Sequence, residues 1–118
     1  APSPSQRRIK FVTRAKSMIE SNLGQPDLNV ASLASSLGIS TRQLQRAFAE
    51  EGVSPSDYIR GLRLDRAARM LADHGPGSLS ITRIAYDCGF GSSSQFARDF
   101  KSRYENSPRD YRARLDLR

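Results

Sequence analysis

The chain repeats itself. Leu33-Ala34 recurs as Ile84-Ala85 and Gly38-Ile39 as Gly89-Phe90, both at an offset of 51 residues. Leu44, Arg46 and Phe48 recur as Phe96, Arg98 and Phe100 at an offset of 52, and Ser54-Pro55 with Tyr58 recurs as Ser107-Pro108 with Tyr111 at 53. The drift places one inserted residue after Gly89 and another after Phe100, both near the ends of expected elements. Whatever the fold, it must build one small supersecondary unit twice.

The repeated unit has a mechanical meaning. Ala34 and Ala85 stand where the first helix of a pair passes close to the second, so only a small side chain fits. Four residues on, Gly38 and Gly89 supply a residue that tolerates positive φ and lets the chain turn sharply. Ile39 or Phe90 then packs under the turn, and Leu44 or Phe96 anchors the second helix. The polar face of that helix projects outward, as a recognition helix does when it enters a major groove.

Helical periodicity runs through the rest of the chain, and strand signals are nearly absent. Ile9, Val12, Ala15 and Ile19 form one apolar stripe, stopped at Asn22-Leu23-Gly24. Asp27 or Asn29 is positioned to cap a helix carrying Val30, Leu33, Ala34 and Leu37. A third helix begins after Ser40 and turns Leu44, Ala47 and Phe48 inward. The longest candidate runs from Pro55 to Ala72, with Pro55 suited to its first turn. After the loop 73–78, Ser80 caps a helix bearing Ile81, Ile84, Ala85 and Cys88; another bears Phe96, Phe100 and Tyr104, and Ser107-Pro108 opens a last one.

Charge points to the partner. Nineteen Lys and Arg against 12 Asp and Glu leave a formal charge of +7, and 16 of the basic residues are Arg. Such an excess suits nucleic acid first and an acidic membrane surface second. The Arg fork matches phosphate and the guanine edge, although a GC-rich genome also enriches Arg codons. Cys88 and His74 are the sole members of their types. No intrachain disulfide and no Cys/His metal cluster is therefore expected, nor any cofactor. No apolar run approaches the roughly 18 residues of a membrane span, so a cytoplasmic, nucleoid-associated protein is expected. The Ala1-Pro2-Ser3-Pro4-Ser5 lead reads as linker, as if the sequence were part of a longer chain.

Together these residues resemble the C-terminal DNA-binding domain of the AraC/XylS family of bacterial transcription regulators. The stretch from Ser80 through Phe90, then Gln95-Phe96-Ala97-Arg98-Asp99-Phe100 and Ser107 to Arg112, is similar to the family signature. Tyr58 to Leu64 with Ala67 to Leu71 is similar to its linker helix. The resemblance implies an all-α, seven-helix fold with two homeodomain-like helix-turn-helix subdomains joined by a long helix. Residues 1–7 would be a linker or tail, 8–54 the first subdomain, 55–73 the linker helix and 74–118 the second subdomain. A helix of about 17 residues is about 25 Å long, a stiff spacer that would set the two readers about one DNA turn, ~34 Å, apart. One departure stands out: Glu105 occupies a position where the family usually has Gly, and a local adjustment with φ kept negative is expected there.

On this reading Arg42, Gln45 and Arg46 are the first candidates for base contact, since Arg reads guanine and Gln reads adenine through paired hydrogen bonds. Ser93, Ser94, Gln95 and Arg98 are the candidates in the second unit, whose short hydroxyls should discriminate less. The amides at Val30, Ile81 and Ser92 sit at helix starts suited to phosphate. Arg60, Arg63, Arg83, Lys101, Arg103 and Arg112 are the phosphate-contacting side chains proposed, each with a solvated or ion-paired role as the alternative. Arg63 has the further alternative of pairing with an acid between the subdomains. Cys88 reads as a buried small hydrophobe, His74 as a loop residue, and Phe48, Phe96 and Phe100 as core.

The expected activity is sequence-specific binding of double-stranded promoter DNA, without catalysis, as the output part of a longer effector-responsive regulator. RNA polymerase and an N-terminal effector-binding or dimerisation domain would be its partners. Three other readings stay open: a stand-alone regulator, a targeting module of an enzyme such as a DNA-repair methyltransferase, and a basic helical adaptor for protein or RNA. The adaptor alone would show no preference among DNA sequences.

Overall fold

A computed structural model describes residues 3–73 and 76–116. Among the described residues there are seven helices: α1 (Pro4–Ser21), α2 (Val30–Leu37), α3 (Thr41–Ala49), α4 (Pro55–Leu71), α5 (Ile81–Asp87), α6 (Ser93–Tyr104) and α7 (Pro108–Asp116). Among the described residues there is no strand. His74 and Gly75 lie outside the described residues, so the reading of His74 as a loop residue does too.

The helix starts follow from side-chain caps. Ser3, Asn29, Ser40, Ser80 and Ser92 each accept from the backbone N–H three residues on, satisfying one of the orphan donors of a first turn. At Ser3, Asn29 and Ser40 the bond is reciprocal, because Gln6, Ser32 and Gln43 reach back to the cap amide. The first of these boxes corrects the sequence reading of residues 1–7 as a linker or tail: α1 begins at Pro4, since Ser3 and Gln6 close a capping box inside the Pro/Ser-rich lead.

The chain divides into two compact units. The first comprises residues 1–23 and 27–60, and α1, α2 and α3 pack against one another within it. Val12, Ala15, Ile19, Leu33, Ala34, Leu37, Leu44, Ala47 and Phe48 are buried there, on the stripes the periodicity marks. Phe48 packs on Tyr58 with ring centroids 5.7 Å apart, and Lys16 lies over that Tyr58 ring. Arg8–Glu50 and Lys16–Glu51 ion pairs tie α1 to the end of α3 at 2.7 and 2.8 Å. Both pairs are solvated, so apolar burial rather than charge holds this unit together.

The second unit comprises residues 24–26 and 61–118. Its core is Leu64, Ala67, Ala68, Leu71, Ile84, Ala85, Cys88, Phe90, Phe96 and Phe100, with Met70, Ile81, Tyr104 and Tyr111 against it. The aromatic rings form a chain from Phe90 through Phe96 and Phe100 to Tyr104 and Tyr111, with centroid spacings of 4.7 to 5.6 Å. These are tilted, offset or edge arrangements that ring quadrupoles favour. Asp65 on α4 accepts two hydrogen bonds from Arg103 and one from the Tyr104 hydroxyl, which fixes the C-terminal half of α6. The Arg103 bond is the main reason the Asp65 carboxyl sits below its ordinary pKa; burial and Asp65 together push Tyr104 up to about 12.

Glu105 differs from the sequence expectation. Its φ is +62°, in the left-handed region, and its N–H bonds the Lys101 carbonyl at 2.8 Å. The helix stop needs that backbone conformation, so the chain adopts it even without glycine. A left-handed residue with a Cβ costs roughly 1–2 kcal/mol. Glu105→Gly is therefore expected to stabilise the fold by about 1 kcal/mol even after glycine's greater freedom in the unfolded chain is counted. Thermal unfolding should show a midpoint a few degrees higher; an unchanged midpoint would mean that the strain is relieved locally.

The Asp65 cluster gives stability a defined pH dependence. Its folded pKa is depressed, so its contribution is complete above about pH 4 and is lost as pH falls through the lower folded value. Tyr104 has a raised folded pKa, so its contribution is complete below about pH 10 and is lost as pH rises through about 12. Urea unfolding of the wild type should weaken in acid more than that of Asp65→Asn. Absorbance titration should show one late tyrosine step that Tyr104→Phe removes and Asp65→Asn moves down.

Candidate nucleic-acid interface

Each unit contains one helix-turn-helix, and the two turns match bond for bond. In the first, the Gly38 N–H bonds the Ser35 carbonyl and the Ile39 N–H bonds the Ala34 carbonyl, both at 3.1 Å. In the second, Gly89 bonds Tyr86 and Phe90 bonds Ala85, both at 3.0 Å. This is the Schellman pattern, which requires a left-handed residue, and Gly38 and Gly89 supply it with φ of +71° and +91°. Ala34 and Ala85, buried at 2% and 0% exposure, let the following helix approach.

The turn delivers α3 with Leu44, Ala47 and Phe48 buried and with Arg42, Gln45 and Arg46 exposed. These three side chains make no hydrogen bond or ion pair with any other described residue. Gln43, by contrast, is occupied by the Ser40 cap. The first unit thus presents two guanidinium groups and one amide on a single helical face, all with their donors available.

In the second unit, α6 buries Phe96 and Phe100 and exposes Ser93, Ser94, Gln95 and Arg98. Ser92 is engaged as the cap. Here the outward polar groups are linked: Arg98 donates to the Gln95 amide oxygen at 2.9 Å, and the Gln95 amide nitrogen donates to Asp99 at 2.8 Å. Asp99 escaped the sequence reading, although its spacing of four residues from Gln95 was the available signal.

The candidate phosphate contacts fall into two groups. Val30 and Ile81 are the first residues of α2 and α5, and Ser92 is the cap of α6. Lys101 is exposed, and Arg83 and Arg60 are exposed with ion pairs to Asp87 and Asp57 within their own helices. Arg63, Arg103 and Arg112 have internal work. Arg63 donates to the Gln25 carbonyl, and burial pulls its pKa below the ordinary value. Arg103 is held by Asp65. Arg112 donates to the carbonyls of Leu71 and Leu79, joining the end of α4 to the approach to α5. Its remaining terminal nitrogen is buried without a partner among the described residues.

The structural residues sit as their periodicity implies. Cys88 is fully buried with its thiol 3.5 Å from the Met70 sulfur, and burial raises its pKa. A thiol so placed stays protonated near neutral pH and behaves as a small hydrophobe. Phe48, Phe96 and Phe100 are inaccessible to stacking bases. Among the described residues there is no group of three or more potential metal ligands, and no helix is long and apolar enough to cross a membrane.

A family model described as a helix-turn-helix domain matches residues 33–114. The chain is 34% identical over 110 residues to the transcriptional activator RhrA of Rhizobium meliloti strain 1021, covering 93% of this chain and 35% of that protein. It is 36% identical over 95 residues to the HTH-type transcriptional regulator CdhR of Pseudomonas aeruginosa, covering 80% of this chain and 27% of that one. The chain thus spans about a third of the length of these curated relatives. Among solved structures it is similar to a transcriptional regulator with an AraC-type DNA-binding domain from Chromobacterium violaceum, at 34% identity and a TM-score of 0.78 over 90% of this chain and 92% of that one. With the paired turns and the outward basic helix, these matches show that the chain belongs to the AraC/XylS family of helix-turn-helix transcription regulators.

Proposed function

We propose that this chain reads an asymmetric site in double-stranded promoter DNA with two unlike helices, α3 and α6, placed in successive major grooves. The observation that carries the reading is the exposed, unengaged triad Arg42, Gln45 and Arg46 on the helix that follows a glycine turn. Bidentate groups with no partner among the described residues lose no bond to them when they turn to base edges. The second helix offers Ser93, Ser94, Gln95 and Arg98, fewer and shorter readers, so the first half-site sets most of the specificity. Lys101, Arg83 and Arg60 with the amides at Val30, Ile81 and Ser92 serve the phosphates. The internal bonds of Arg103 and Arg112 favour a supporting role for these two, and Arg63 joins them.

The relatives' greater length supports a role as the output part of a longer regulator, with an effector-binding or dimerisation domain and RNA polymerase as partners. A basic adaptor that merely tolerates DNA would bind all duplexes alike, and competition with bulk genomic DNA separates the two readings.

Duplexes selected from a random pool test the proposal directly. Arg46→Ala is expected to lose about 1–3 kcal/mol of affinity and to relax preference at a single base position. Lys101→Ala should weaken all duplexes alike and reduce the salt slope by about 1. A uniform loss for Arg46→Ala would assign that residue to phosphate instead.

A further inference from the structure

On α6, three side chains form one chain of hydrogen bonds: Arg98 to Gln95 and Gln95 to Asp99. The chemistry of the two outer groups dictates how the middle one points. A guanidinium only donates and a carboxylate only accepts. A flipped Gln95 amide would set its oxygen against Asp99 and its nitrogen against Arg98, losing both bonds. The amide orientation is therefore fixed by its neighbours.

We infer that Asp99 is a specificity-determining positioning residue, which presets the Gln95 amide to read adenine in the second half-site. A side-chain amide has two N–H donors and two acceptor lone pairs. Asp99 takes one donor and Arg98 fills one lone pair. One donor and one acceptor remain, the complement of the acceptor N7 and donor N6 that adenine shows in the major groove. An acid on this face opposes the phosphates that a basic surface attracts, and its bond to Gln95 gives it an orienting role there. Without Asp99 only the Arg98 bond to the amide oxygen opposes the flip, so one of the two bonds that hold the orientation is lost.

This inference rests on the proposed DNA reading, and the test separates the two. A duplex enriched from a random pool by the wild-type chain, with its set of single-base variants, is titrated against wild type, Gln95→Ala, Asp99→Ala and Asp99→Asn. Circular dichroism checks that each exposed-face variant remains folded. The wild type should prefer adenine at one second-half position by roughly five- to a hundredfold. Gln95→Ala should abolish that preference. Asp99→Ala and Asp99→Asn should reduce it by about half or more while strengthening binding to every duplex, because a negative charge is removed. Asn is informative because it keeps a similar shape yet can flip its own amide, so it accommodates either Gln95 orientation. A uniform gain with an unchanged base profile would overturn the inference and leave Asp99 as a charge alone. An unchanged profile for Gln95→Ala would overturn it as well, while DNA reading through α3 stood. A wild type without any preference among duplexes would remove both the inference and the proposed function.

Discussion

Two backbone hydrogen bonds at a glycine organise each half of this protein. They close the end of α2 or α5, reverse the chain within a few residues, and commit the next helix to a fixed departure. Everything outward-facing depends on that departure. Once Leu44 or Phe96 is driven inward, the helical repeat decides which polar residues remain outside. The left-handed conformation carries little cost at glycine, so the turn is stable by its own chemistry. Side-chain caps at Ser40 and Ser92 then start the outgoing helix where the turn ends. The geometry of the outgoing helix is thus set by local bonds, and apolar burial of Phe48, Phe96 and Phe100 secures it.

Most of this was visible in the residues themselves. The glycines, the small Ala positions and the apolar spacings are local signals, and the duplication made them hard to mistake. The start of α1 was hidden because a capping box at Ser3 and Gln6 sits in a stretch whose composition resembles a linker. Glu105 was read from its side chain, whereas the backbone demand of the helix stop decided its conformation. In both cases a specific hydrogen bond overrode a compositional rule.

Which exposed polar groups keep their donors available was legible on α3 and less so elsewhere, for a physical reason. Exposure follows from periodicity, but engagement depends on partners far along the chain. Arg103 meets Asp65 across 38 residues, and Arg112 reaches Leu71 and Leu79 across 41 and 33. No sequence pattern announces such pairings, so these cations looked as available as Lys101. Asp99 is the converse case: its partner was one helical turn away, and the spacing alone could have revealed it.

The contrast between the two outward faces has an entropic side. Arg42, Gln45 and Arg46 sample many rotamers while free, and each long side chain that is immobilised on docking costs about 0.5–1.5 kcal/mol. Gln95, Arg98 and Asp99 already share bonds, so much of their freedom is spent before any duplex arrives. Loose side chains can settle on more than one base edge, whereas tethered ones favour one arrangement. On the proposed reading, the first helix is the adaptable surface through which new target sequences are most easily acquired, and the second is the rigid one that resists change.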